Sequence, residues 1–176
     1  IISTCGTDAF GSNSANDGGF EFHTKYGGSG TDATAMKLSN KGYVLKPTHP
    51  VFVAQKSASI TGTGYVTCNT VINNQGGHYD SSTGRFTAPI AGFYWFSIKI
   101  NHYKRCDFRL YRNGTDSNAY REIGQFSTSN TDGWYSSIVQ RIFSLDANDW
   151  VRPYVSNIYQ NSDPGEWITF QGCLIG

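Results

Sequence analysis

A chain of 176 residues with a formal net charge of +1, 15% charged and 15% aromatic residues holds material for one packed domain and something beside it. No apolar run reaches the length of a membrane span, and so many aromatic residues argue against a disordered tail. Near-neutral charge without a Lys/Arg block removes the electrostatic footprint of phosphate-backbone binding, so neither nucleic acid nor membrane insertion is expected.

Residues 1–10 show neither a starting methionine nor the basic and apolar segments of a signal peptide, so the chain is expected to be a piece of a longer product. Cys5, Cys68, Cys106 and Cys173 form no Cys-x-x-Cys pair and are too few to staple a chain this long. Buried free thiols are expected ahead of disulfides.

From residue 11 to 46 the chain is rich in Gly, Ser, Asn, Asp and Thr, with thin apolar tracts at Phe20 and Phe22, at Met36 and Leu38, and at Tyr43, Val44 and Leu45. These read as short strands that bury too little apolar area to offset their ordering entropy. Partner chains would supply the missing neighbours, and a flexible linker is the alternative. The glycines lack a three-residue period, which excludes a collagen stalk. The segment Lys46-Pro47-Thr48-His49-Pro50 forces extended backbone and cannot propagate a helix or a central strand. The boundary is placed there, with residues 1–46 an extended stalk or connector and residues 47–176 a globular head.

Beyond the boundary, apolar and polar residues alternate at period two over residues 65–72, 86–88, 93–100, 108–111, 135–143, 151–155 and 168–174. Turn-forming clusters separate them at 73–77, 81–84, 113–114, 127–133, 146–149 and 161–165, and no helical period is sustained. The pattern is that of an all-β antiparallel sandwich or jelly roll. In the run from Gly92 to Ile100, one face carries Tyr94, Phe96, Ile98 and Ile100 and belongs to the core. The other carries Phe93, Trp95, Ser97 and Lys99, whose two aromatic rings suit a contact with another subunit.

The run Tyr79-Asp80-x-x-x-Gly84-Arg85-Phe86-Thr87-Ala88-Pro89-x-x-Gly92-x-Tyr94-x-Phe96 resembles the central signature of the complement globular-head, or C1q-like, domain family. Asn113-Gly114 after a strand, the stretch from Leu145 to Val151, and the closing Phe170-x-Gly172-x-Leu174 follow in the family's order. The resemblance covers roughly residues 50–176. It implies a ten-stranded antiparallel jelly roll of the C1q and tumour-necrosis-factor type that assembles as a homotrimer and binds ligands. The stretch from Met36 to Phe52 resembles the connector that precedes such heads in tail-fibre and other structural proteins of marine bacteriophages. That implies a virion appendage whose amino-terminal side meets other fibre or baseplate proteins, with a secreted extracellular protein as the alternative. No acidic motif aligns residue by residue with the family's calcium positions, so no cofactor is required, calcium stays unassigned and the metal position is unknown.

Strands of a jelly roll reverse at each turn, so successive connections fall alternately at its two ends. Counting back from the carboxyl end places residues 160–167, 127–134, 101–105 and 73–79 together at the end away from the stalk. That set holds His78, Tyr79, His102, Tyr103, Lys104, Arg105, Asn130, Asp132, Trp134, Asp163, Glu166 and Trp167. Exposed rings supply contact area for the apolar face of a pyranose while amides, acids and cations direct hydrogen bonds to its hydroxyls. Trp134 and Trp167 are the expected anchors, Lys104 and Arg105 suit acidic sugars or lipopolysaccharide phosphates, and His78 with His102 would bring imidazoles near a trimer axis. The expected partners are a host-surface polysaccharide, lipopolysaccharide or surface protein.

Glutamate occurs only at Glu21, Glu122 and Glu166, and no metalloprotease, nucleophile-elbow or P-loop motif is present. A glycan depolymerase would need two carboxylates at fixed separation. The chain is therefore read as a binder and not an enzyme, with a trimerising cap, a secreted lectin and a depolymerase as alternatives.

Overall fold

The computed structural model describes residues 20–24, 33–39, 41–56, 58, 60, 62–103, 106–114, 126–127, 134–156 and 168–176, and its regular elements are all strands. The chain divides into two compact units, Ile1–His49 and Pro50–Gly176.

The first unit holds β1 (Phe20–Thr24), β2 (Ala33–Leu38) and β3 (Val44–Leu45), paired antiparallel in that order. The thin tracts thus pair with one another within the chain. Register places Phe20 opposite Leu38, Phe22 opposite Met36 and Leu38 opposite Val44, so one face of the sheet is apolar. Phe20, Phe22 and Val44 stay exposed on it. On the other face the Glu21 carboxylate lies 2.8 Å from Lys37 Nζ and 3.2 Å from His23 Nε2. The Lys37 ammonium holds the Glu21 carboxyl below its usual range.

The second unit is two facing sheets. The five-stranded sheet runs β12 (Trp134–Leu145), β9 (Gly92–Tyr103), β14 (Ile168–Leu174), β4 (Val51–Gln55) and β6 (Thr70–Gln75). The other runs β11 (Phe126–Ser127), β10 (Asp107–Arg112), β13 (Trp150–Ser156), β8 (Arg85–Thr87) and β7 (Tyr79–Asp80), with β5 (Gly64–Tyr65) also on β13. Every pairing is antiparallel. The described residues thus give six and five strands, where the resemblance implies ten in all, because the two-residue β5 joins as an extra member.

Alternation explains the core. Tyr94, Phe96, Ile98 and Ile100 of β9 are fully buried, and they meet Phe52, Phe86, Phe143 and Phe170 between the sheets. Phe52 stacks on Tyr79 at 4.8 Å between centroids and meets Phe170 edge-on at 4.8 Å. Gly172 lies opposite Phe96, and a Cβ there would stand 2.5 Å from the Phe96 ring. Only glycine leaves that ring its place. Cys68, Cys106 and Cys173 form no disulfide among the described residues; the first two are buried, and burial pushes both thiols up to about 12.

The signature run from Tyr79 to Phe96 serves this fold. The Asp80 carboxylate accepts hydrogen bonds from the Ser82 amide, Ser82 Oγ and Thr83 Oγ1 at 2.7–2.8 Å, which closes the β7–β8 turn. Gly84 ends that turn at φ +73°, where a Cβ would meet the Val66 carbonyl oxygen at 2.7 Å. Tyr94 donates its hydroxyl to the Ile90 carbonyl, tying the start of β9 to the turn before it.

Candidate functional site

The register fixes which residues share an end of the second unit. At one end stand Tyr103, its cross-strand partner Trp134, and the adjoining ends of β14 and β4 at Ile168 and Gln55. At the other stand Gly92 opposite Leu145, Val51 opposite Gln75, and Trp150 opposite Thr87.

This separates residues that the loop count put together. The β6–β7 turn lies at the Gly92 end, because β6 runs antiparallel to β4 and finishes beside Val51. His78 belongs there, its carbonyl accepting from the Thr87 amide, and cannot share an end with His102. The count misses one reversal, the tight β7–β8 hairpin, and each missed reversal exchanges the ends of everything before it. The proposed ring of His78 and His102 imidazoles is therefore not formed.

Burial corrects two further expectations. Tyr79 is 4% exposed and donates its hydroxyl to the Cys68 carbonyl at 2.7 Å, so it is a core ring with a satisfied polar tip. His102 is 0% exposed, with Nε2 3.1 Å from Ser137 Oγ and its ring stacked on Tyr135 at 5.9 Å. It continues the inward face of β9 and is not a loop residue. Both side chains are buried.

Two of the expected contact residues do come together at the surface. Trp134, 51% exposed, and Tyr103 sit side by side with ring centroids 5.5 Å apart and planes tilted by 59°. They form a small aromatic platform at the Tyr103 end. Lys104, Arg105, Asn130, Asp132, Asp163, Glu166 and Trp167 lie outside the described residues. Among the described residues no cluster of three or more His, Cys, Asp or Glu side chains is placed to hold a metal ion.

The outer face of the five-stranded sheet is the larger feature. Register aligns Ile142, Trp95, Cys173 and Val51 in a row across four adjacent strands, with Phe93 next to it and Ile138 beyond the polar row Gln140, Ser97 and Gln171. Phe93 is 56% exposed and Ile142 57%. A lone Phe or Ile at a surface is ordinary, whereas a continuous apolar row marks a contact surface. The sequence reading singles out Phe93 and Trp95 for this role and misses Ile138 and Ile142. Their signal is in the sequence, since both fall at alternate positions of the run 135–143, but choosing their face requires the pairing of β12 with β9.

Comparison with known proteins agrees with this architecture. The family description "C1q domain" matches residues 51–175. One of the polypeptides of the mouse complement C1q subcomponent is 27% identical over 131 residues, which cover 72% of this chain and 52% of that protein. The chain thus spans about half the length of this relative. Among solved structures, the globular domain of zebrafish complement 1qA superposes with a TM-score of 0.58 at 19% identity, covering 73% of this chain and 98% of that one. Murine APRIL does so with a TM-score of 0.55 at 11% identity, covering 72% and 99%. A sandwich of this topology, the signature turn that shapes it and a family match over most of the length agree, and the chain belongs to the C1q domain family.

Proposed function

We propose that this chain is the receptor-binding head of a homotrimeric bacteriophage fibre, attaching to a host-surface glycan or protein without catalysis. C1q and tumour-necrosis-factor-like domains are non-enzymatic binding modules, and C1q domains typically form trimers. The single observation that carries the reading is the apolar row Ile142, Trp95, Cys173 and Val51 with exposed Phe93 beside it and exposed Ile138 on the same face. Burying apolar area contributes roughly 25 cal/mol per Å², so each half-exposed ring or branched chain that becomes dry adds about 1 kcal/mol per protomer. Three copies meeting through this face would satisfy all of them at once.

The apolar face of the β1–β2–β3 sheet fits the same reading, as the strand region of a stalk whose copies cover one another's Phe20, Phe22 and Val44. The virion setting is supported by the resemblance of the stretch from Met36 to Phe52 to phage connectors. The ligand surface of this proposal is the Tyr103 end, where Trp134 and Tyr103 would act with Lys104, Arg105, Asn130, Asp132, Asp163, Glu166 and Trp167. Modest affinity per head suffices there, because several heads on one particle raise the effective concentration.

Light scattering of the purified full chain at micromolar concentration should give three times the 19.4 kDa mass of one chain. Labelled protein should be retained by host cells and released by purified envelope polysaccharide or by digestion of surface protein. A folded species of single-chain mass would overturn the assembly. A trimer that no host cell retains would reduce the head to a structural cap.

A further inference from the structure

The outer face of the six-stranded sheet carries a second surface of different chemistry. At its centre, β13 presents Trp150 and Arg152 outward, with Arg85 on β8 and Tyr65 on β5 beside them. The Arg85 guanidinium carbon lies 4.2 Å from the centroid of the Trp150 ring, and that of Arg152 lies 4.4 Å from the Tyr65 ring. The two rings are themselves 6.5 Å apart. Continuing the register from Thr87 opposite Trp150 and Phe86 opposite Val151 sets Arg85 against Arg152. A third arginine, Arg109, lies one strand further on, two residues along, where it pairs with Tyr154.

Like charges placed opposite each other on neighbouring strands repel. The Arg152 guanidinium is held below its ordinary range by burial and then by the Arg85 charge. Carboxylates would normally be interleaved at such a place, yet among the described residues none of the three arginines forms an ion pair. Asp80, the strand partner of Arg85, is occupied by Ser82 and Thr83. Asp107, on the strand of Arg109, is buried. The rings fix the guanidinium planes, and Arg152 Nη2 donates to Thr67 Oγ1 at 3.0 Å, which orients its fork. The Nε atoms of Arg85, Arg109 and Arg152 are shielded from water and, among the described residues, meet no hydrogen-bond acceptor. Each arginine as a whole is only half-buried, so an oxyanion would meet the outer part of its fork.

We propose that this face binds an acidic polysaccharide through its carboxylate or sulfate groups, with Arg85 and Arg152 gripping one anionic group and Arg109 a second. A polymer is favoured over a single small anion because the cations fall in two places. The pair is followed by Arg109 at a diagonal strand position, a separation of roughly 7–8 Å. The surface is also distinct from the apolar row, which lies on the other sheet. The inference rests on the binding-head reading only in taking the ligand from a cell envelope.

Isothermal titration of the full chain with oligogalacturonate, with a neutral oligogalactan and with inorganic sulfate tests it. Binding is expected for the acidic oligomer, weakened by salt, and absent for the neutral one. Sulfate bound as tightly as the oligomer would overturn the polymer assignment. The double variant Arg85→Gln with Arg152→Gln should lose about tenfold or more in affinity. Arg85→Lys with Arg152→Lys keeps the charges but not the forks and should also lose affinity, which preserves the test if the Gln pair folds poorly. Lys41→Gln with Arg141→Gln removes two positive charges elsewhere and should change affinity little. Equal weakening by that control, or full affinity in the Lys pair, would overturn the proposal. Trp134→Ala with Trp167→Ala should leave oligogalacturonate binding intact while weakening retention by host cells, so failure at either surface is read separately.

Discussion

Single residues carry much of this fold, and two of them allow direct tests. The Asp80 carboxyl is pushed down to about 2 by hydrogen bonds from the Ser82 side chain, the Thr83 side chain and the Ser82 amide. A depressed carboxyl stabilises the folded chain above its ordinary value of 3.8, and that contribution disappears as the pH falls through about 2. Thermal melts between those limits should show a falling midpoint in the wild type, and Asp80→Asn should start lower and remove this part of the slope. Gly172→Ala tests packing instead. Its new Cβ would stand 2.5 Å and 2.8 Å from atoms of the Phe96 ring and 2.9 Å from the Trp95 carbonyl oxygen. Forcing that ring aside should cost about 1–3 kcal/mol in denaturant unfolding. Both residues lie in or beside motifs that carry the family resemblance, which shows why such motifs are poor guides to ligand contacts: Tyr79, Asp80, Gly84 and Phe86 are spent on a turn and a core.

At the scale of elements, the long strands were legible and the short ones were not. The run 92–100 declares both of its faces, because the buried Tyr94, Phe96, Ile98 and Ile100 alternate without a break. The two residues of β7 carry too few positions to show a period, yet that hairpin reverses the chain and moves His78 to the opposite end from His102. The arginine face was illegible for another reason. Tyr65, Arg85, Trp150 and Arg152 come from three strands, and no local pattern announces that β5 and β8 will both pair with β13. Strand β12 offers a test at this scale. Ile142→Glu places a charge at the β12 end of the apolar row at a position 57% exposed in the single chain. The variant should keep its far-UV circular dichroism and fall to single-chain mass in sedimentation velocity. An unchanged trimer would move the contact to another face.

For the whole molecule, the two sheets divide the labour by chemistry. One outer face carries the apolar row proposed to meet its own copies, while the other carries the arginines and rings proposed to meet a ligand. Composition alone reports a net charge of +1 and conceals this, because a whole-chain total does not register where Arg85, Arg109 and Arg152 gather. A trimer built on the apolar face would leave three copies of the arginine face turned outward, so weak contacts to one long polymer would reinforce one another.

The stem of the connection after β10 is pinned on both sides. Asn113 accepts from the Trp150 amide and donates to the Asp149 carboxylate, and the Gly114 carbonyl accepts from the Tyr65 hydroxyl. The carboxyl end of β10 is thereby tied to the turn before β13 and to a ring of β5, so Asn113→Ala should loosen three elements at once and lower the unfolding midpoint more than removal of one exposed side chain would.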